Sequence, residues 1–477
     1  MPGTHDLWGA VRAPAGRPPP GSRQPFDEET LMDTSDARPL RPAGRRTPGR
    51  RPARALTVLA ALLLTAACQS GGSAEQPPQV SGDEPVTLTF VNAQDPGTFD
   101  EVIAGFTEAN PNITITLETL PFDDLNSSVQ SRLGAKDASI DLYDVDEPRL
   151  ASFAARGYLA DLSDLRAEAE GKIDPKALDA TSYQGKQYAM PRWTSTQLLY
   201  YNTELLEDAG VEAPSSDPSQ PMTWQEVAAA GEQAQQAGAK YGFTFEQVDR
   251  YYQLQPLPES LGGGPGLEGE GLLTPAVTNP AWVEAMSWYK STFDSGLSPR
   301  GITAEQTTPL FSDGETAFFA GGPWNAPLFD EAGVDYGVAP FPMFEGGRAV
   351  SSTGSWATGV SPFSEKQEAA KAFIRYMTTD ATGAWQASSR NLPVQQEAFS
   401  RYLSENASDT RSEQLAAIIE HELANNAVAR PTTVGFVDFE TVMNKAFADI
   451  RNGSEPAERL QQAAEELDRA LAKYPRE

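Results

Sequence analysis

Short runs of alternating β-branched and apolar residues, each followed by a segment of helical spacing, predict an α/β chain with a parallel sheet and helices on both faces. Two observations carry that reading. The order strand, helix, strand, helix, strand, helix runs from Val86 to Arg156. The composition, 39% apolar and 22% charged over 477 residues, is that of a globular chain with room for two or three domains, each with its own core.

The elements follow in order. Val86–Val91 alternates and reads as a first strand, and Phe99–Asn110 has helical spacing that stops at Asn110-Pro111. Ile113–Leu117 is a second alternating strand, followed by a helix over Asp123–Ala135 capped by Asp123 or Asp124. Ile140–Val145 is a third strand and Pro148–Arg156 a third helix. Tyr188–Pro191 and Leu198–Asn202 read as strands carrying the chain into a second lobe. That lobe holds the helix Trp224–Gln236 capped by Thr223, the strand Tyr241–Phe245, the helix Pro280–Phe293, and strands over Ala317–Ala320 and Tyr336–Pro340. Trp356–Val360 crosses back into the helix Gln367–Met377, and the chain from Arg411 reads as helices, with heptad-like spacing over Pro456–Leu471. The glycines of Gly262–Gly266 form a loop. No Lys-Ser/Thr follows them, so they are not a phosphate cradle.

Charge and rare residues exclude several chemistries. With 37 Lys+Arg against 66 Asp+Glu the formal charge is −29, which argues against nucleic acid as a partner. One Cys permits no internal disulfide and no four-thiolate metal site. The two His are His5 and His421, too few for the common His-based triads and zinc clusters.

The first 67 residues read as a secretory signal. Seven arginines and no acid lie between Arg38 and Arg54, and the thirteen-residue run Ala55–Ala67 ends directly before Cys68. That run is shorter than the ~20 residues of a membrane span. Residues 1–31 precede a more usual start at Met32 and are expected to lie outside the translated chain. Leu64-Thr-Ala-Ala-Cys68 resembles the bacterial lipobox, with Thr65 where an aliphatic residue is usual. The resemblance implies lipidation of Cys68, which would anchor the chain to a membrane; residues 68–85 then form a flexible tether. Removing 1–67 takes away ten Arg and six acids, leaving 27 basic and 60 acidic residues, net −33 over 410.

Four segments in one order resemble family-1 extracellular solute-binding proteins. They are Asp144-Val-Asp-Glu147 with Ala151–Leu162, then Leu198–Leu205, then Thr223-Trp224, and most specifically Phe311–Trp324 followed by Tyr336–Pro342. The similarity spans most of Val86–Tyr474. It implies a two-lobe periplasmic-binding-protein-like fold (type II), each lobe a mostly parallel sheet flanked by helices, with the ligand in the interlobe cleft. The expected division is 86–193 in lobe 1, 194–354 in lobe 2, 355–400 returning to lobe 1, and 401–477 as C-terminal helices of lobe 2. The family further implies a monomer with no cofactor and no catalytic residue, which binds a carbohydrate and delivers it to the transmembrane subunits of an ABC permease.

A sugar presents hydroxyls at its edge and C–H faces, so its site needs flat aromatics and polar side chains at the rim. Trp324 follows Gly321-Gly-Pro323, where the chain must leave a strand sharply, and matches the tryptophan that stacks on sugar in maltose-binding members of the family. Trp356, near the second crossover, is a stacking or a core residue. Trp193, beside the first, stays open. Asp146 stands at the C-terminal end of the third strand, where open α/β sheets bind ligands, and it could equally cap the next helix. Glu147 matches a position that is basic in the maltose-binding relatives, which points away from maltose. Asp95 follows the first strand with Asn92 and Gln94, as ligand contact or turn former. Glu246 and Tyr251, with Asp249 and Tyr252, follow the Tyr241 strand, where those relatives use a Glu and a Tyr. Arg430 could donate a fork to sugar oxygens or lie at the surface. The relatives' C-terminal tryptophan and arginine are unmatched; Phe436, Phe439 and Asn444 are nearest.

The leading expectation is a lipid-anchored sugar-binding protein on the outer face of a bacterial membrane, closing by hinge motion on trehalose, maltose or another α-glucoside. A secreted glycosidase pairing Asp146 with Glu246 is the second reading. A binder of a polyamine or a glycerophosphodiester is the third.

Overall fold

The structure, a computed structural model, describes residues 84–94, 96–354, 356–381, 392–405 and 409–475. The signal, Cys68, the tether up to residue 83 and Asp95 lie outside the described residues.

The first lobe opens with β1 (Val86–Asn92), α1 (Asp100–Ala109), β2 (Ile113–Thr119), α2 (Phe122–Gly134), β3 (Leu142–Asp146), α3 (Leu150–Ala155) and β4 (Ala189–Thr194). The second lobe holds β5 (Leu198–Asn202), α4 (Trp224–Ala237), β6 (Tyr241–Phe245), α5 (Pro280–Asp294), β7 (Thr316–Gly321) and β8 (Tyr336–Pro340). The chain then returns through β9 (Trp356–Val360), α6 (Gln367–Arg375) and β10 (Leu392–Pro393). It ends in α7 (Gln396–Glu405), α8 (Thr410–His421), α9 (Phe436–Arg451) and α10 (Pro456–Leu471).

Two larger sheets result, with strand orders β10-β4-β9-β3-β1-β2 and β8-β5-β7-β6, beside three two-stranded ones among the described residues. Four strands of the six and three of the four point one way, because β1 pairs in parallel with β2 and β3, and β6 with β7. Strand–helix alternation alone predicts no antiparallel members. Those present are β9 and β10 in the first sheet and β5 in the second; β5 and β9 adjoin the crossings between lobes, so their direction follows from where the chain enters each sheet.

Period-2 alternation places the cores. Leu88 and Phe90 of β1 pack with Phe106 and Phe373 on one face of the six-stranded sheet, while Val91 packs with Leu125, Tyr143 and Phe153 on the other. The four-stranded sheet is likewise covered on both sides. Trp224, Phe243, Trp282 and Phe447 form one cluster, and Tyr200, Phe319, Phe329 and Ile418 the other. Phe399 and Tyr402 of α7 pack on that second cluster.

Helix starts follow their caps. Thr223 and Glu226 form a reciprocal capping box at α4, with Glu226 N–H donating to Thr223 Oγ1 at 3.1 Å and Thr223 N–H to Glu226 Oε2 at 2.8 Å. Asn279 caps α5, accepting from Trp282 N–H, with Pro280 at the first helical position. At α2 the expected aspartate cap is replaced: the helix starts at Phe122 and the cap position is Pro121, which makes no side-chain bond. The segment expected as one helix over Pro148–Arg156 is a 3-10 turn at Glu147–Arg149 leading into α3. α6 ends in a π turn over Tyr376–Asp380.

The crossings between lobes are buried and polar, so their groups must find partners. Ser195, Thr196 and Gln197 carry one segment, and Ser351 to Gly354 the other. Thr194 and Thr353 hydroxyls meet at 3.0 Å, Thr196 and Ser351 hydroxyls at 2.7 Å, and Gln197 N–H donates to Ser351 Oγ at 2.8 Å. Ser195 Oγ donates to Gly354 O at 3.0 Å and accepts from Gly354 N–H at 2.9 Å.

α4 approaches β6 at a glycine–glycine contact. A Cβ on Gly242 would sit 2.6 Å from the Gly231 carbonyl carbon and 2.3 Å from Leu297 Cδ1. Because one obstacle is backbone, Gly242→Ala is expected to destabilise the fold by about 1–3 kcal/mol through overpacking, read as a lower denaturant midpoint at unchanged m-value.

Candidate functional site

The C-terminal ends of β1 and β3, the turn before α2 and the start of β9 converge on one edge of the first lobe. The ends of β6 and β7 face them from the second, at the position where open α/β sheets place ligands.

Trp324 sits in the 3-10 turn Pro323–Asn325 that follows β7. Its indole lies flat over Gly322, so close that a Cβ there would fall 2.1 Å from the ring. Only a residue without a side chain fits beneath it. The indole Nε1–H donates to Glu246 Oε1 at 2.6 Å, and Gly322 N–H donates to Glu246 Oε2 at 3.2 Å, so one carboxylate fixes both ring and turn. Glu246 follows β6, and burial raises its pKa against the opposing bond from Trp324. The Tyr252 ring is 6.5 Å from Trp324 at 35°. Its phenol meets Ser195 Oγ at 2.7 Å; since that hydroxyl donates to Gly354 O, the phenol donates to Ser195.

Across the cleft, Trp356 is the register partner of Asp146 in the β9–β3 pair and is half-buried. Phe122, 37% exposed, meets the Trp356 ring edge-on at 5.7 Å. The Arg250 guanidinium of the second lobe lies 4.6 Å from the Phe122 ring centroid and 3.1 Å from Glu305.

A buried ion-pair cluster joins the lobes beside these rings. Arg430 donates a fork to Asp146, Nη1 to Oδ2 at 2.9 Å and Nη2 to Oδ1 at 2.5 Å, and lies 5.1 Å over the Tyr252 ring. Arg149, one turn beyond Asp146, bonds Glu440 of α9. The side chain of Glu147, next to Asp146, makes no ion pair or hydrogen bond among the described residues. Burial is the main cause raising its pKa to about 7; Arg430 opposes the rise and Asp146 adds to it. Below these, at the base of the first lobe's edge, Asp144 and Arg192 form a wholly buried pair at 2.6 Å, and Gln94 Nε2 donates to Asp144 Oδ2 at 2.9 Å.

The cleft thus gathers Asp146, Glu147, Glu246, Trp324, Trp356 and Arg430. Asp95 lies outside the described residues. Tyr251 is placed elsewhere: it is fully buried, donates to Pro265 O at 2.6 Å and packs edge-on against Phe439 at 4.8 Å, in the second lobe's core. Its neighbour Tyr252 faces the cleft instead, a consequence of the short helix Tyr251–Leu254 turning adjacent residues ~100° apart. Trp193 stacks on Phe99 inside the first lobe. Arg430 is not a surface residue but the partner of Asp146, which removes Asp146 as a helix cap, since its side chain accepts no backbone N–H there. Phe122, Arg250, Arg149 and Glu440 escaped sequence reasoning. Phe122 alone left a signal, a bulky apolar residue among polar ones directly after a strand end.

The model of the bacterial extracellular solute-binding protein family matches residues 92–384. A protein of Brucella abortus named as a binding protein is 27% identical over 409 residues, covering 82% of this chain and 94% of its own. A maltooligosaccharide ABC transporter solute-binding lipoprotein of Streptococcus pneumoniae is 26% identical over 329 residues, covering 67% and 74%. Among solved structures, an ABC substrate-binding protein of Listeria monocytogenes in complex with cycloalternan superposes with a TM-score of 0.72 at 23% identity, covering 82% of this chain and 100% of that one.

Two outcomes follow from the cluster. Arg430→Ala strands the buried Asp146 carboxylate and is expected to cost about 3–5 kcal/mol in chemical denaturation. Glu147 holds its proton to about pH 7 in the fold but only to its ordinary 4.5 when unfolded, so unfolding releases a proton between those values. Its contribution is therefore full below pH 4.5 and shrinks as pH rises to 7. Glu147→Gln should flatten the stability–pH profile in that window.

Proposed function

The chain belongs to the bacterial extracellular solute-binding protein family, and from that premise we propose that it captures an oligosaccharide-type sugar between its lobes and hands it to an ABC permease. One observation carries the reading. An indole pinned flat by Gly322 and Glu246 faces the cleft beside Tyr252, with Trp356 and Phe122 on the opposite lobe. Such rings offer platforms for the C–H faces of a pyranose, and the charged rim meets its hydroxyls. The name of the Streptococcus relative agrees with that class.

Closure is the working step. Sugar held between rings of opposite lobes stabilises the closed form, and the closed form is what the permease reads. A small α-glucoside such as trehalose or maltose is our first choice of ligand. Delivery takes place at the outer face of the cell membrane, with the protein held by lipid on Cys68 and acting as a monomer without a cofactor. The protein performs no hydrolysis. The two carboxylates a glycosidase would employ are otherwise engaged, Asp146 by the Arg430 fork and Glu246 by Trp324 and Gly322.

A thermal-shift panel of α-glucosides, with polyamines and glycerophosphodiesters included, tests this. A ligand at a hundredfold excess over its Kd adds about 2.7 kcal/mol of stability. Trp324→Ala should weaken sugar binding by roughly tenfold to a hundredfold, ~1.4–2.8 kcal/mol, while leaving the fold intact. A shift with no sugar but with a phosphodiester would end the carbohydrate reading. For the anchor, Cys68→Ser should move the protein from the membrane fraction into the medium; membrane retention would refute lipidation.

A further inference from the structure

The charges of the cleft leave a remainder. Asp146 with Arg430, Glu440 with Arg149, Asp249 with Arg451 and Glu305 with Arg250 are four carboxylate–guanidinium pairs, each formally neutral. Asp144 and Arg192 make a fifth beneath them. Every guanidinium named at the site already holds a carboxylate. Two carboxylates stand outside these pairs. Glu246 is met by neutral N–H groups, from Trp324, Gly322 and the Asn325 amide. The Glu147 side chain has no ion pair or hydrogen bond among the described residues, yet the residue is half-buried next to Asp146, on the lobe edge that carries Trp356 and Phe122.

An uncompensated carboxylate out of bulk water is costly, and it is neutralised either by a proton or by a cation. Among the described residues no cation pairs with the Glu147 side chain. Arg430 is the positive group whose charge acts on it, and its fork is filled by Asp146. We propose that the cleft selects a saccharide carrying a protonated amine, and that Glu147 is the carboxylate that receives the ammonium. The inference rests on the saccharide reading above and narrows it. The aromatic rings take the sugar face, and Glu147 distinguishes an amine from the hydroxyl it replaces. A hydroxyl gains one ordinary hydrogen bond from Glu147, whereas an ammonium gains a charge-assisted one and cancels the residual charge.

The proposal makes affinity depend on pH with a definite sign. In the free protein burial holds the Glu147 proton up to about pH 7. An ammonium beside it favours the ionised form, so binding below that pH releases the proton. Affinity for the amine should therefore climb as pH rises from 5.5 to 7 and then level off. Asp146 and Arg430 are the charged groups acting on Glu147 and are locked in a pair, with Arg149 and Glu440 paired beside Asp146; Glu246 and Arg250 face the cleft from the second lobe. Glu147 is the group among them whose ordinary bond partner is missing.

Calorimetry on the protein decides it, with maltose, trehalose and maltotriose set against the same sugars with one hydroxyl replaced by a primary amine, and spermidine as a cation without a sugar ring. The expected result is at least tenfold tighter binding of one amino derivative than of its parent at pH 7.5. That advantage, read as the ratio of the amino derivative's affinity to its parent's, should shrink at pH 5.5 and vanish in Glu147→Gln, whatever that variant's affinity for the parent sugar. Equal or weaker binding of every amino derivative beside a binding parent sugar overturns the inference and leaves the saccharide reading standing. An amine preference that survives in Glu147→Gln also overturns it. Binding of spermidine alone, or of nothing in the panel, removes the saccharide reading and the inference with it.

Discussion

A single buried fork, Arg430 to Asp146, ties the end of one sheet to the segment that leads into the last pair of helices. Much of the site is arranged around it. The same guanidinium lies over the Tyr252 ring, and that phenol bonds Ser195 in the crossing between lobes. Gly354 lies against all three: a Cβ there would come within 3.0 Å of Arg430 Nη2, 2.9 Å of Tyr252 and 3.2 Å of Ser195 Oγ. Desolvating two charges makes such a pair a poor source of net stability. Its value here is geometric, because a planar fork fixes distance and orientation together.

The two lobes contribute unlike halves of the cleft. The second supplies a rigid platform, with Trp324 locked from below by Gly322 and at its edge by Glu246. The first supplies Trp356 and Phe122, set edge to face, and the acid whose side chain has no partner among the described residues. Between them run pairs already satisfied. A ligand entering this space meets few vacant charges and much flat apolar surface, which favours a solute with ring faces over a small inorganic ion.

The sequence disclosed most of the framework because its signals were local. Alternation in Val86–Val91 and Ile113–Leu117, and the Thr223–Glu226 box, are each complete within a few residues. Trp324 was legible through the Gly-Gly-Pro that precedes it. What stayed hidden was relational. Arg430 and Asp146 are 284 positions apart, and neither carries a mark of the other. Tyr251 and Tyr252 are adjacent in a helix of four residues, and only the packing of Phe439 and Asn444 decides which one turns inward. The role of Glu147 was likewise out of reach, since it depends on its neighbours being paired with one another.

The crossings between lobes are held by small rotors. Thr194, Ser195, Thr196, Ser351 and Thr353 bond through hydroxyl groups whose hydrogens swing about a single C–O bond. These hydroxyls can exchange acceptors as the two segments shift, while Ser351–Thr353 stays paired with Ala427–Ala429 in a short parallel ladder. The hydroxyl contacts between the segments would therefore resist motion weakly, leaving the resting angle of the lobes to the forks and rings packed against them. Equilibrium and speed thereby become separable traits: substitutions among the hydroxyls would retune how fast the jaws swing, and substitutions at the mouth would retune where they come to rest.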